Sequence, residues 1–438
     1  MPTPLPAPGW YPDPNSALVG GPPVEALATP PQDDPFYTYS GSKPLADHAP
    51  GDVLAWRSIR YHILGIPTVL KTTQLLYRST GQTGKPTANV TSVIQPLGQH
   101  TSKVVSYQSA YDSLDRNHQP SFAISGGVNL GGIVPNVELT VFGLFLAQGC
   151  TVIVPDTEGQ RADFAAGQEY GMNTLDSIRA ARASTIVGLP SDARVALLGY
   201  SGGAIASEWA AELAPTYAPD VNEHLVGAAI GGVLVHPAHN LRYVEGTFFW
   251  AGVMPMALIG IARAFEVDFT PYLTPRGLQL YNGMQDASIV NVLGRPQYWR
   301  LKWSDLVIPK YPTPESLPLF VTLANQLIMG TAGTPTTPLF IGQGANGDLE
   351  WTPNDKPGIG AGDGVMIAGD VRTLALEYCA KGATVYYEQY DLLSHITALG
   401  SWLLNAIGWI NDRFAGRPAP HNCSSIAPGN PLDPIPLP

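Results

Sequence analysis

A chain of 438 residues that is 45% hydrophobic and only 13% charged, about half the charged fraction of an ordinary soluble protein, can bury a sizeable core as one large domain with an insertion or as two domains. Its 46 glycines and 42 prolines suit a compact, loop-rich, secreted protein rather than a disordered one. A net charge of −11 with no basic run argues against nucleic acid as a partner, because phosphate binding is driven by clustered Lys and Arg that displace counterions.

Residues 1–66 are rich in proline and polar residues as far as Val53 and read as an extended arm. The opening Met1-Pro-Thr-Pro-Leu-Pro-Ala-Pro-Gly9 has no basic segment followed by an apolar stretch, so no signal peptide is read there; for a secreted, extracellular protein it would already have been removed. Apolar, β-branched runs at Gln74–Ser79, Val90–Gln95 and Lys103–Gln108, separated by Gly, Pro and Asn turns, predict consecutive strands. Helices and strands then alternate. Helical spacing covers Val137–Gln148, Met172–Ala183 and Gly202–Ala214, and short apolar strands are expected at Thr151–Pro155, Arg194–Tyr200 and Leu225–Gly232. The alternation resumes with strand Pro338–Gln343, helix Val365–Ala380, strand Ala383–Tyr390 and helix Ile396–Phe414.

Such a βα pattern calls for a mostly parallel sheet with helices on both faces, an α/β fold. Between the two runs, residues 239–335 are rich in Phe, Trp, Tyr, Pro and Leu and read as an inserted cap. The expected division is therefore an arm at 1–66, core at 67–238, cap or lid at 239–335, core again at 336–420 and a tail at 421–438. The longest apolar stretch, Thr247–Ala262, has 16 residues with Pro255 and Gly260 inside it, short of the ~20 that span a bilayer. It predicts a buried or interface-facing helix and no transmembrane segment.

Three cysteines, Cys150, Cys379 and Cys423, allow at most one intrachain disulfide. Cys150 reads as a buried thiol; Cys379 with Cys423 is the preferred pair, against three reduced thiols in a cytosolic protein.

The chemistry concentrates at Arg194-Val-Ala-Leu-Leu-Gly-Tyr-Ser-Gly-Gly203, an apolar strand running through Gly-Tyr-Ser-Gly-Gly into a helix. A serine raised on so sharp a turn needs small neighbours, and the helix starting at Gly202 aims a free amide and its positive end at a reacting carbonyl. Ser201 is thus the expected nucleophile of a serine ester hydrolase. A hydroxyl needs a base held by an acid, in the chain order Ser, acid, His. Of nine histidines, His395 and His421 follow the resumed sheet; His395 stands after the last strand, and His421 lies in the tail. For the acid, Asp348 and Asp363 both follow strand Pro338–Gln343, and the fold rule does not separate them. Asp363 has the competing role of a helix N-cap, and His395 that of a helix-start residue.

At these residues the chain resembles the secretory lipases typified by Candida antarctica lipase A, from about Gln74 to Cys423. The likeness runs through Tyr77-Arg-Ser-Thr, Gly84-Lys-Pro, Tyr111-Asp-Ser, Val154-Pro-Asp-Thr-Glu-Gly, Leu175-Asp-Ser-Ile-Arg-Ala, the Ser201 turn, Glu212-Leu-Ala-Pro-Thr-Tyr-Ala-Pro and Cys379-Ala-Lys-Gly. The resemblance implies an α/β-hydrolase fold with an inserted cap. In the family's pattern the acid stands 16 positions before the cysteine and the histidine 16 after it, which selects Asp363 and His395. It also implies the disulfide Cys379–Cys423 and an oxyanion hole made by the amides of Gly202 and Asp112.

The expected activity is lipase or esterase hydrolysis through an acyl-enzyme, with no metal or organic cofactor. Tyr200, Phe248, Phe249, Trp250 and Met254 are the expected substrate-binding side chains, against ordinary cap packing. The cap sequence matches the family poorly, so acyl chain length is not implied. An acyltransferase or amidase on the same residues, and a non-catalytic lipid-binding protein, are the competing readings. Partners are an ester or lipid substrate and a lipid–water interface, the chain acting as a monomer or small homo-oligomer.

Overall fold

The computed structural model describes residues 28–438; the reading of the first nine residues, and most of the proline-rich arm, lies outside them. Nine strands form one sheet in the order β1-β2-β3-β5-β4-β6-β7-β8-β9. β1 (Val53–Ile63), β2 (Ile66–Thr80) and β3 (Pro86–Ile94) are antiparallel. β3 then pairs antiparallel with β5 (Thr151–Pro155), beside β4 (Lys103–Gln108). From β5 across β4, β6 (Arg194–Tyr200), β7 (Leu225–Gly231), β8 (Leu339–Gly344) and β9 (Val385–Tyr390) all neighbours are parallel. This is the α/β-hydrolase fold. β5 and β8 are buried at every residue, as strands covered on both faces must be.

One face is filled by helices Gly167–Ala183 and Gly202–Tyr217, whose Leu175, Ile178, Ile205 and Trp209 join Val195, Leu197, Ala228 and Ile341 of the sheet. The other face is covered by Leu139–Ala147 and His395–Phe414, which bring Phe142, Phe145, Trp402 and Ile410 onto Val105, Val152, Leu198 and Phe340. The sheet begins at Val53, inside the stretch read as an arm. β1 and β2 form a hairpin closed by Leu64-Gly65, both at positive φ (49° and 77°), the turn whose twist matches that of paired strands.

Residues 237–325 carry helices Pro237–Val244, Val253–Ala264, Pro275–Gly283 and Pro318–Asn325 and have their own apolar core, built on Trp250, Met254, Leu258, Trp303 and Phe320. Proline opens three of these helices, where its missing N–H costs nothing. The apolar stretch from Thr247 becomes helical only at Val253, because the carbonyls of Thr247 and Phe249 accept from Arg300 and Gly294 instead of closing helical turns.

The disulfide joins Cys379 to Cys423, 44 positions apart, and Cys150 is buried and free. Just before Cys423 the chain blunts the open edge of β9: Asn422 donates its amide to Val385, and its side chain bonds both the N–H and the C=O of Tyr387. Over Val385–Tyr387 the edge is thereby covered against pairing with another strand. No described helix is long and apolar enough to cross a membrane.

Candidate active site

β6 delivers its chain into helix Gly202–Tyr217 through Ser201, whose φ of 58° and ψ of −122° fall where L residues are strained. The bend survives because Ser201 N donates to Gly231 O of the neighbouring strand at 2.9 Å. It also needs glycine beside it: a Cβ on Gly199 would come within 2.0 Å of Gly203 O.

His395 opens helix His395–Phe414, capped by Ser394. Its Nε2 lies 2.8 Å from Ser201 Oγ and its Nδ1 2.8 Å from Asp363 Oδ2. Its backbone is fixed as well, since His395 N donates to Asp363 O at 2.7 Å and Tyr200 Oη donates to His395 O at 2.5 Å. Asp363 is fully buried. Besides the imidazole, it accepts from Gln343 Nε2 (2.8 Å), Val365 N (3.0 Å) and Met366 N (2.7 Å). Those last two bonds have the spacing of an N-cap, but no helix follows Asp363: its N–H donates to Met366 O at 2.9 Å and Gly362 bridges Ile367, so the chain turns back on itself and the next helix starts at Ala368 with Ile367 as its N-cap. Asp348 is exposed, on a 3-10 turn at Gly347–Glu350, and is not the carboxylate at the imidazole.

Burial pushes the His395 imidazole down, but the charge and hydrogen bond of Asp363, with the charges of Glu350 and Asp112, outweigh it and hold the pKa above its ordinary value. Asp112 sits at φ 30° with its carboxyl against the start of the Ser201 helix: a Cβ on Gly202 would come within 1.8 Å of Asp112 Oδ1. Burial, with Glu138 nearby, raises Asp112 to about 7 against the pull of His395. The turn carrying it is pinned by Glu158, which accepts from Ser113 N (3.0 Å) and Tyr170 Oη (3.0 Å) and whose amide donates to Tyr111 Oη (2.9 Å). Two of the sequence motifs, Tyr111-Asp-Ser and Pro155-Asp-Thr-Glu, thus meet under the site.

The expected substrate-binding residues divide. Tyr200 packs its ring on His395 at 5.2 Å, and Trp250 stands edge-on to the same imidazole at 5.5 Å and 89°. Met254 lines an apolar cavity with Leu234, Leu258, Phe320 and Val365. Phe248 and Phe249 instead line an outward groove of about 460 Å³ with Trp299 and Trp351. Gln343 and Glu350 were not among the expected residues; the first is a lone polar side chain near the end of an apolar strand, the one local signal it gives. Among the described residues no cluster of His, Cys, Asp and Glu could hold a metal ion.

The model of the family described as Secretory lipase matches residues 126–288. Lipase 6 of Candida albicans is 32% identical over 412 residues, 91% of this chain and 84% of that protein. The chain belongs to the secretory lipase family. The Mycobacterium tuberculosis protein named "Probable inactive lipase MT1628" is 32% identical over 417 residues, 91% of this chain and 87% of its own. Among solved structures, Candida antarctica lipase A in its closed state superposes with a TM-score of 0.76 at 28% identity, covering 94% of this chain and 92% of that one. Other motif residues of this secretory lipase family member serve the scaffold: Asp176 binds Ser79, Arg179 and Tyr217, and Glu212 accepts from the amides of Gly330 and Gly333.

Proposed function

We propose that this secretory lipase family member hydrolyses carboxylic esters of apolar acids, with Ser201 as nucleophile, His395 as proton carrier and Asp363 as the acid that orients it. The observation that carries the reading is the unbroken path from Ser201 Oγ through His395 Nε2 and Nδ1 to Asp363 Oδ2, with both contacts at 2.8 Å. His395 takes the Ser201 proton at Nε2 as the oxygen attacks the carbonyl, while Nδ1–H stays on Asp363, which stabilises the imidazolium. The oxyanion is received by the amides of Gly202 and Asp112, each worth ~3 kcal/mol in such a hole. The imidazolium then protonates the leaving alcohol. Water, deprotonated by the same imidazole, attacks the acyl carbonyl and restores the Ser201 hydroxyl. The apolar cavity lined by Met254, Leu258 and Val365, two residues along the chain from Asp363, is the candidate place for the acyl chain.

The family name and the disulfide, which oxidising compartments favour, support an extracellular setting. The surroundings of the site suit a lipid–water interface. Phe248 touches Trp299 at 5.6 Å, Phe249 touches Trp351 at 6.1 Å, and Asn346 Nδ2 bonds Leu392 O at 3.3 Å. Around these contacts Phe248, Trp299, Leu349, Trp351, Leu392 and Ile396 are all exposed. With a net charge of −11 the partner surface is neutral or zwitterionic. Binding should be tighter to phosphatidylcholine than to phosphatidylglycerol vesicles and weakened by Trp351→Ser; the reverse preference would remove the interface from the proposal.

The relative named inactive favours a second reading, lipid binding without catalysis. A fluorophosphonate probe decides: labelling that vanishes in Ser201→Ala is expected, with turnover of p-nitrophenyl esters in a graded chain-length series. An unlabelled folded protein would leave only the binding reading.

A further inference from the structure

Glu350 inverts the usual order of burial. It is 4% exposed, while its chain neighbours Leu349 and Trp351 are 51% and 61% exposed, so the charged side chain points inward and the apolar ones outward. The chain leaves this turn through Trp351 in the left-handed region, φ 55°, a conformation disfavoured for a bulky residue. An ordinary surface turn would need neither feature.

What the carboxylate holds is specific. Its Oε1 accepts from Ile396 N at 2.7 Å and its Oε2 from Trp250 Nε1 at 2.7 Å. Ile396 directly follows His395, and its amide is one of the N–H groups that the start of a helix leaves without an internal partner. Trp250 is the ring standing edge-on to the imidazole. Space for the second bond depends on Gly364, the residue after Asp363: a Cβ there would come within 2.6 Å of Glu350 Oε2 and 3.0 Å of Trp250 Nε1. One carboxylate therefore joins the helix that carries the base, the ring that walls it and the loop that carries its acid.

The groups facing the imidazole are Asp363 at Nδ1, Ser201 at Nε2 and the rings of Tyr200 and Trp250, with Asp112 and Glu350 as further negative charges. His395 is the first residue of its helix, where the positive end of the helix dipole disfavours a cation. The Glu350 charge sits on that end, bound to its amide.

We propose that Glu350 is a positioning residue for His395, fixing the ring between Trp250 and Asp363 and offsetting the helix end against the imidazolium formed in the reaction. This rests on the reading of Ser201, His395 and Asp363 as the reacting set. It acts through Ile396 N and Trp250 Nε1 and touches neither substrate nor the reacting oxygen.

Two variants test it with a short, soluble p-nitrophenyl ester. Glu350→Gln removes the charge. The acid limb of kcat/KM, which reports the fraction of neutral imidazole, should move down by about half a pH unit or more, with kcat lowered about tenfold and KM little changed. Glu350→Asp, which keeps the charge, should bring the limb back toward the wild-type position. Trp250→Phe keeps the ring and the carboxylate but loses the donor, so kcat should fall with the limb held; this variant carries the test if Glu350→Gln does not fold. Activities are counted per fluorophosphonate-reactive site. An unmoved limb in folded Glu350→Gln, or unchanged kcat in Trp250→Phe, overturns the proposal while wild-type labelling leaves Ser201 chemistry standing. If the wild type is not labelled, the reacting set itself is what fails.

Discussion

The Asp363 carboxylate is crowded with donors, from His395, Gln343, Val365 and Met366. An asparagine there would turn an NH₂ toward groups that are already donors and force the imidazole into the wrong tautomer. Asp363→Asn should lower kcat by about 10⁴-fold, whereas Asp348→Asn, on an exposed turn, should leave it within about twofold; near-wild-type turnover of p-nitrophenyl butyrate by Asp363→Asn would strike the residue from its role. Asp112 makes a prediction in pH. Its carboxyl, raised to about 7 mainly by burial, stands beside the amides proposed to receive the oxyanion and would repel it once ionised, while His395, raised above its ordinary value, must be neutral to serve as the proposed base. Wild-type kcat/KM should therefore be a narrow bell. Asp112→Asn should lose the alkaline limb, because nothing there ionises. An alkaline limb that persists in the variant would assign it to another group. Of this site, Ser201 and His395 were legible locally, the first from a strand–turn–helix pattern and the second from its place after the last strand. Asp363 and Asp348 share one loop, and only the likeness to known lipases separated them. Gln343 and Glu350 were not found, since what marks them is a partner distant in sequence.

Strands at Lys103–Gln108, Thr151–Pro155 and Arg194–Tyr200 lie where the sequence pattern put them, because short apolar runs covered on both faces leave little choice of structure. β1 and the start of β2 were harder to see. Pro67 interrupts the run, which sequence rules take as a sign against a strand, and Leu64 is not a residue expected at positive φ; tertiary pairing of His62 with Pro67 and Ile63 with Ile66 carries the hairpin through both. At the far edge of the sheet the covering segment after β9 is tied by Cys379–Cys423. Breaking that bond by Cys423→Ser should cost about 3 kcal/mol, read as a lower urea midpoint. Turnover at 25 °C should persist, because Asn422 still bonds Tyr387 and the reacting groups lie at the other ends of the strands. A midpoint equal to that of the wild type would mean that these contacts alone hold the edge.

Across the whole molecule the buried carboxyls set how stability varies with pH. Desolvation is the first cause of the raised values at Asp112 and Asp156, each about 7, Asp176, about 6, and Glu169, about 8. Glu158 and Glu208 are pushed well above the ordinary range by the same cause, with Asp112 adding to the first and Glu212 to the second. In the unfolded chain such groups are ionised above about pH 4, so between there and their folded values the native state holds more protons. Stability from each is full below the unfolded pKa and is lost as pH rises through the folded one. His395, raised, acts in the same direction. His236, lowered to about 4 by burial, acts the other way, but its contribution is complete above its unfolded value near 6.5. Between pH 6.5 and 8 the acids and His395 are therefore left to decide the sign, and Tm should fall as pH rises through that window. Asp156→Asn isolates one share of the slope. Asp156 accepts from Ser121 N at 2.8 Å and Ser121 Oγ at 2.6 Å, so the amide should lower Tm at pH 5, where the acid is protonated and well bonded, and narrow the deficit by pH 8. A Tm that climbs across the window in the wild type would show that these carboxyls are ionised in the native protein and that solvent reaches them.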